Sequence, residues 1–331
     1  MPLKIAVVYS HHKLGDLIWQ LPYLKSISKN FNLPITFITR PKTQAKDILK
    51  DNDYIHEVFY CEFRKKFWYF VEIFNLYRFF KKEKFSHIFI LDKISRPAIA
   101  AKLAAIENII GPGIKNQKKW LTNKNFLTNE DYQNLDYSDQ SKKMLEINNY
   151  KVFETIPSLF IKRETLINIE PKIDDSLQNV VTFGVDSFEL FKMWFEENFA
   201  ELANKLIDAN LAKKINLIAS PQNQYVVKKI INLSGKNNFF DCSTLNLLQV
   251  IKVIKYSNYF VGNNSGPLNL ASALGVKAFG LIANDRVSEL KNSNIIPILP
   301  KNYKNEINRD RVGMKKLDVE TVFNQINDKI K

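Results

Sequence analysis

The chain has 331 residues, 45% of them hydrophobic, and a net charge of +14 at neutral pH. That length exceeds what a single hydrophobic core usually serves, so two domains are expected. Its apolar runs of about four to six residues fall far short of the roughly 20 that cross a bilayer. Two cysteines, Cys61 and Cys242, and the histidines His11, His12, His56 and His87 offer neither a disulfide framework nor a zinc-ligand spacing.

In chain order, short apolar runs bounded by turn residues predict strands over residues 5–9, 35–38, 56–60, 87–91 and 108–110. A second series covers 180–183, 215–219, 239–242, 259–261, 277–281 and 296–299. Helical patterns alternate with them, and that order builds mostly parallel sheets covered by helices on both faces. The N-terminus opens as a strand without a signal peptide's apolar region, and the separated cysteines suit a reducing compartment.

The first strand runs into His11-His12-Lys13 and then a helix opened by Gly15-Asp16 that continues to about Lys29. Gly15 lets the backbone approach a ligand closely. Asp16 puts a carboxylate at the carboxyl end of a parallel strand, where open α/β sheets bind ligands; an ordinary helix cap is the competing role. Over residues 63–85, Phe63, Phe67, Phe70, Phe74, Tyr77 and Phe80 recur at helical spacing, flanked by Arg64, Lys65, Arg78, Lys81 and Lys82. The expected packing lays this stripe on the sheet and leaves Trp68, Tyr69 and Phe79 to meet an anionic membrane surface. Asp92, after the fourth strand, stands at the sheet's ligand edge, with a role in its own loop the competing reading. Gly111-Pro-Gly113-Ile-Lys115 lacks the Gly-Lys-Ser/Thr ending of a phosphate loop and is read as a turn. Residues 161–176, polar and carrying Pro171, form the expected linker between domains of residues 1–165 and 166–331.

In the second half, Ser187 lies in a loop after the sixth strand, and Lys192 precedes a helix expected to start near Trp194. Gln222, Asn223 and Gln224 follow the next strand. From Phe260 an apolar strand enters the turn Gly262 to Ser265 and leaves as a helix of small residues opened by Gly266-Pro267. Free N–H groups at such a start favour a phosphate or diphosphate, with Ser265 as a plain N-cap the alternative. Residues 301–316 are charged and loop-like, and 317–330 form a closing helix. No dinucleotide fingerprint follows the first strand, no nucleophile elbow is present, and no nucleic-acid-binding signature accompanies the basic excess.

Three blocks recur together: Gly15-Asp16 with Pro22 six residues later, Lys192-Met-Trp194 leading into Glu197-Asn-Phe-Ala-Glu-Leu-Ala203, and Asn264-Ser-Gly-Pro-Leu-Asn-Leu-Ala-Ser-Ala-Leu274 with Gly275-Val-Lys-Ala-Phe-Gly280. In this order they resemble glycosyltransferase family 9, the ADP-heptose:lipopolysaccharide heptosyltransferases, from Lys4 to about Leu299. The resemblance implies an α/β fold of GT-B type, two Rossmann-like domains facing across a cleft, acceptor side first and nucleotide-sugar side second. It implies an inverting transfer without metal or cofactor, from a nucleotide sugar to a lipid-linked glycan at the inner face of the cytoplasmic membrane. By position, Asp16 is implied as the base and Lys192 as the cation assisting the donor phosphates. Ser187, one of Gln222, Asn223 and Gln224, and Asn264, Ser265, Gly266 and Asn269 fall to donor binding; Gly15 and Asp92 fall to the acceptor side or its loop.

The chain departs from the resemblance at two positions. The family usually has Asp-Ser/Thr-Gly-x-x-His where this chain has Asn264-Ser-Gly-Pro-Leu-Asn269. Asparagine both donates and accepts hydrogen bonds, and its amide cannot take up the charge of an imidazole. A donor other than ADP-heptose, or a catalytically degenerate binding protein on the same fold, is the alternative reading. Restoring Asp and His at these positions is expected to move preference toward ADP-heptose.

Overall fold

The structure is a computed structural model and describes residues 3–64, 67–171 and 179–330. It divides into two compact units, Met1–Ile161 and Lys162–Lys331. In the first, β1 (Ile5–Val8), β2 (Ile35–Thr39), β3 (Ile55–Tyr60), β4 (His87–Ile90) and β5 (Asn108–Ile110) form a parallel sheet ordered β3-β2-β1-β4-β5. In the second, β6 (Val180–Gly184), β7 (Lys214–Ile218), β8 (Phe239–Asp241), β9 (Tyr259–Asn263), β10 (Lys277–Leu281) and β11 (Ile295–Ile298) form a parallel sheet ordered β11-β10-β9-β6-β7-β8. Every residue of β1, β2, β6 and β9 is buried, which is why these strands are continuous apolar runs instead of alternating ones.

The strands match the expected positions to within a residue or two, and the differences fall where they matter. Gly262 and Asn263, expected in a turn, continue β9, and Gly184 continues β6. Gly184 and Gly262 are paired across the two strands. A Cβ on Gly262 would lie 2.8 Å from the Gly184 carbonyl oxygen and 2.8 Å from the Phe260 ring, and one on Gly184 would lie 2.6 Å from that ring. Only glycine at both positions lets the central strands stay paired to their ends.

Other elements are corrected in detail. The helix after β1 is Leu14–Phe31, so Asp16 sits inside its first turn and is not its cap. The helix expected near Trp194 is Glu196–Asp208, because Phe195 is still extended. The linker region carries a short helix, Arg163–Ile167, and its residues 172–176 lie outside the described residues. Within 301–316 there is one helical turn, Val312–Lys315, and the closing helix Val319–Ile330 buries Val322 and Ile326 in the core shared with Phe199 and Leu206. No helix of the described residues is long and apolar enough to cross a membrane.

The aromatic helix, Trp68–Glu83, differs most from expectation. It buries Ile73, Leu76 and Phe80 together with Phe63, whereas Phe67, Phe70 and Phe74 of the predicted stripe are 75%, 73% and 56% exposed. Trp68 is exposed too, but Phe79, expected to face outward, stacks on Phe59 with ring centroids 4.0 Å apart, and Tyr69 packs against the same core. Phe63, Tyr77 and Phe80 of the predicted stripe do meet the core, and Ile73 and Leu76 take the inward positions between them. Lys65 lies outside the described residues.

Gly262→Ala tests the close approach of β6 and β9. The Cβ meets a backbone carbonyl that cannot move without breaking the ladder, so a cost of about 1–3 kcal/mol is expected. Thermal melting should show a loss of several degrees; an unchanged melting temperature would contradict this account.

Candidate active site

In the first unit the carboxyl ends of β1 and β4 gather the polar residues. Asp16 Oδ2 lies 3.2 Å from His11 Nδ1, and each side chain keeps about a quarter of its surface exposed. The His11 ring stacks on Tyr9 at 4.8 Å and meets Tyr137 edge-on at 4.3 Å. Gly15 occupies the first turn beside Asp16. Asp92 is buried and spends its carboxylate internally: Oδ2 accepts from Ser10 N at 2.7 Å and Ser10 Oγ at 2.6 Å, and Oδ1 accepts from Ile94 N at 3.1 Å. It therefore serves its loop, clamping the segment after β1. The Arg40 guanidinium ties the Ser10 carbonyl to that of Phe63. The His12 imidazole is held below its ordinary range by partial desolvation and then by the positive charges of Lys42 and Arg40.

In the second unit the segment before Lys192 is fixed from two sides. Trp194 is buried, its backbone N–H donates to Asn263 Oδ1 at 2.9 Å, and its indole N–H donates to the Leu317 carbonyl at 2.8 Å. Asn284 Nδ2 donates to the Phe191 carbonyl at 2.8 Å. Lys192 Nζ is thereby held 2.5 Å from Asp285 Oδ2 and 2.9 Å from Glu189 Oε2. Burial works to lower the Lys192 pKa, but the charges and hydrogen bonds of Asp285 and Glu189 outweigh it and hold the ammonium above its ordinary range.

Asp285 was not singled out from the sequence. It is 3% exposed, and its Oδ2 accepts from Asn264 Nδ2 at 2.7 Å as well as from Lys192. Asn264 is therefore a donor to a carboxylate, a role aspartate cannot fill. An ionised aspartate at 264 would set two carboxylates against each other beside Lys192. The available signal was an Asn-Asp pair shortly after the apolar strand β10, at the sheet's ligand edge. Asp186, just past β6, was missed likewise; its Oδ2 accepts from Ser220 N at 2.7 Å and Asn223 Nδ2 at 3.2 Å. Of the three candidates after β7, Asn223 is thus tied to that loop, Gln224 turns to Asp241 at 3.3 Å, and Gln222 is exposed. Ser187 is buried, and its Oγ accepts from Glu189 N at 3.3 Å.

The helix Gly266–Ala273 starts as expected, with Ser265 extended before it and Pro267 in the first turn. The Ser265 side chain makes no capping bond, however. Ser265 Oγ, Asn269 Oδ1 and Asn263 Nδ2 are buried without a hydrogen-bond partner among the described residues. Such atoms are rare in folded proteins and cost about 1–3 kcal/mol each when left unsatisfied. Ser265 Oγ and Asn263 Nδ2 can donate to an anionic ligand beside this positive helix end, while Asn269 Oδ1 accepts and suits a ligand hydroxyl. Among the described residues, no group of three or more His, Cys, Asp or Glu side chains is arranged to hold a metal ion. Cys61 and Cys242 are free and buried, their thiols pushed up by burial to about 11 and about 12.

Solved structures place this architecture in a class. The chain is similar to a glycosyl transferase family 9 protein of Veillonella parvula at TM-score 0.80 and 17% identity, over 99% of this chain and 97% of that one. It is similar to E. coli ADP-heptose lps heptosyltransferase II at TM-score 0.77 and 15% identity, over 99% and 98%. It is also similar to E. coli heptosyltransferase WaaC, solved with ADP, at TM-score 0.74 and 14% identity, over 99% and 100%. The fold is thus that of the GT-B glycosyltransferases. The model of glycosyltransferase family 9 (heptosyltransferase) matches residues 96–322, and the chain belongs to that family of enzymes. That range contains Lys192, Asn264 and Asp285 but not Asp16. No curated protein sequence gives a significant match.

Asn264→Asp tests the Asp285 contact. Two carboxylates sharing Lys192 raise the folded-state pKa of one above its unfolded value of about 3.9. The folded variant then binds a proton that the unfolded chain releases, so it loses stability relative to the parent as pH rises from about 4 through that raised value. Melting curves should show a deficit that grows between about pH 4 and pH 7, whereas a pH-independent difference would remove the argument.

Proposed function

We propose that this enzyme transfers a sugar, heptose or a related one, with inversion and without a metal, from a nucleotide-sugar donor to a lipopolysaccharide-core or other surface-glycan acceptor. The observation that carries the donor half is the start of the helix Gly266–Ala273, where the donors Ser265 Oγ and Asn263 Nδ2 lie buried and unpartnered beside a positive helix end. A donor diphosphate supplies the acceptors and charge that such a site favours. Lys192 assists it, competing away from Asp285 and Glu189 as the leaving group gathers charge. The acceptor half rests on Asp16, which carries the base function in the first unit.

One observation favours the second reading, a nucleotide-sugar-binding protein that does not turn over. Lys192 is already neutralised by two carboxylates, and Asn269 has no chargeable ring. The two readings separate in one set of measurements. Calorimetry in chelator should show binding of a nucleoside diphosphate such as ADP, UDP or GDP, weakened by Lys192→Ala. A turnover screen against nucleotide sugars should show product, with Asp16→Asn reducing the rate by roughly 10²-fold or more and leaving nucleotide affinity unchanged. Binding without turnover would select the second reading, and no binding at all would discard both.

The lipid-linked acceptor and the inner face of the cytoplasmic membrane belong to the same proposal. Phe67, Trp68, Phe70 and Phe74 are exposed together, and Arg78, Lys81 and Lys82 lie along the same helix. Aromatic and basic groups on one surface helix suit an anionic interface, where each cation gains about 1 kcal/mol. The protein should sediment with anionic vesicles at low salt and be released as salt rises, and replacing Phe70 and Phe74 by Ser should weaken the binding. Equal sedimentation with neutral vesicles would argue against it.

A further inference from the structure

We infer that Asp16 exercises its base function through His11: the proton of the acceptor hydroxyl goes to His11 Nε2, and Asp16 is the residue that orients the neutral imidazole and faces the charge it gains in the step. The inference rests on the proposed transfer reaction and concerns the same site. It starts from the 3.2 Å contact between His11 Nδ1 and Asp16 Oδ2. A carboxylate accepts only, so this contact requires the proton on Nδ1 and leaves the lone pair on Nε2. The ring cannot easily turn over, since Tyr9 stacks on one face and Tyr137 meets it edge-on. Nε2 has no partner among the described residues, and a quarter of the side chain is exposed. A carboxylate, an imidazole fixed in one tautomer and an open second nitrogen are the parts of a base dyad.

The neighbouring groups leave little competition. Tyr9 and Tyr137 are held protonated, first by burial and then by nearby charges, including Asp16 and Asp92. The Asp92 carboxylate is filled by Ser10 and Ile94. Lys93, the cation beyond Tyr137, is raised mainly by its hydrogen bond to Tyr132 and stays charged. His12 is a weaker base because of burial and the cations Lys42, Arg40 and Lys13. In the step itself, the acceptor oxygen forms its bond to the anomeric carbon as the bond from that carbon to the phosphate oxygen breaks. The electron pair leaves with the nucleoside diphosphate, the proton moves to Nε2, and solvent later removes it.

The test uses the full chain and two readouts. In kcat/KM against pH, the wild-type acid limb should fall near the histidine value of about 6.5, not near the carboxylate value of about 3.9. His11→Asn retains an amide donor toward Asp16 but loses the second ring nitrogen. It should lower kcat by about 10²-fold with nucleotide affinity unchanged and move the acid limb into the carboxylate range. A wild-type limb near 4, or an unchanged rate in His11→Asn, would overturn the dyad while leaving the transferase reading intact. Nitrogen NMR of the His11 ring decides the matter even without turnover. The Nδ1–H tautomer is expected in the wild type, with the Nε2–H form gaining in Asp16→Ala; an Nε2–H tautomer in the wild type, or a tautomer balance indifferent to Asp16, would refute it.

Discussion

The pairing of Gly184 with Gly262 is the constraint on which the second unit depends. Side chains there would meet a backbone carbonyl and the Phe260 ring, so only two glycines allow β6 and β9 to run side by side to their carboxyl ends. Because they do, the loop carrying Asp186 and Ser187 and the segment Asn263-Asn264-Ser265 leave the sheet at the same level. Asn263, the last residue of β9, can then accept from the Trp194 backbone, and Trp194 brings Lys192 to the end of β10. A strand pairing thus becomes the position of a cation.

At that cation a second acid enters the picture. Asn264 stands where an acid would be expected, and considered alone it looks like a loss. With Asp285 in place the acid has a different address: its carboxylate receives both the Asn264 amide and the Lys192 ammonium. The environment of residue 264 therefore depends on a residue 21 positions away.

The two units carry chemically opposite equipment at equivalent places. The carboxyl edge of the first sheet holds an acid coupled to an imidazole, suited to taking a proton; that of the second holds a helix start and a lysine, suited to receiving negative charge. Both edges are built by the same device, parallel strands whose apolar runs end together and release polar loops on one side.

Much of this was legible in the sequence, because it depends on local pattern. Alternation of buried runs and helical patterns determines two parallel α/β units. Gly15-Asp16, Lys192 and the start at Gly266 could be placed at strand ends, since a parallel strand exposes its ligand edge immediately after its last apolar residue. Tertiary structure decided what depends on approach between distant segments. It split the predicted stripe, burying Phe63 and Phe80 with Ile73 and Leu76 and leaving Phe67, Phe70 and Phe74 exposed, because a helix docks the face that fits the sheet. It brought His11 to Asp16 and Asp285 to Lys192 and Asn264, and it turned Asp92 inward as a clamp. Hydrogen bonds and ion pairs act within about 3 Å, and no spacing along the chain encodes such distances between loops from different strands.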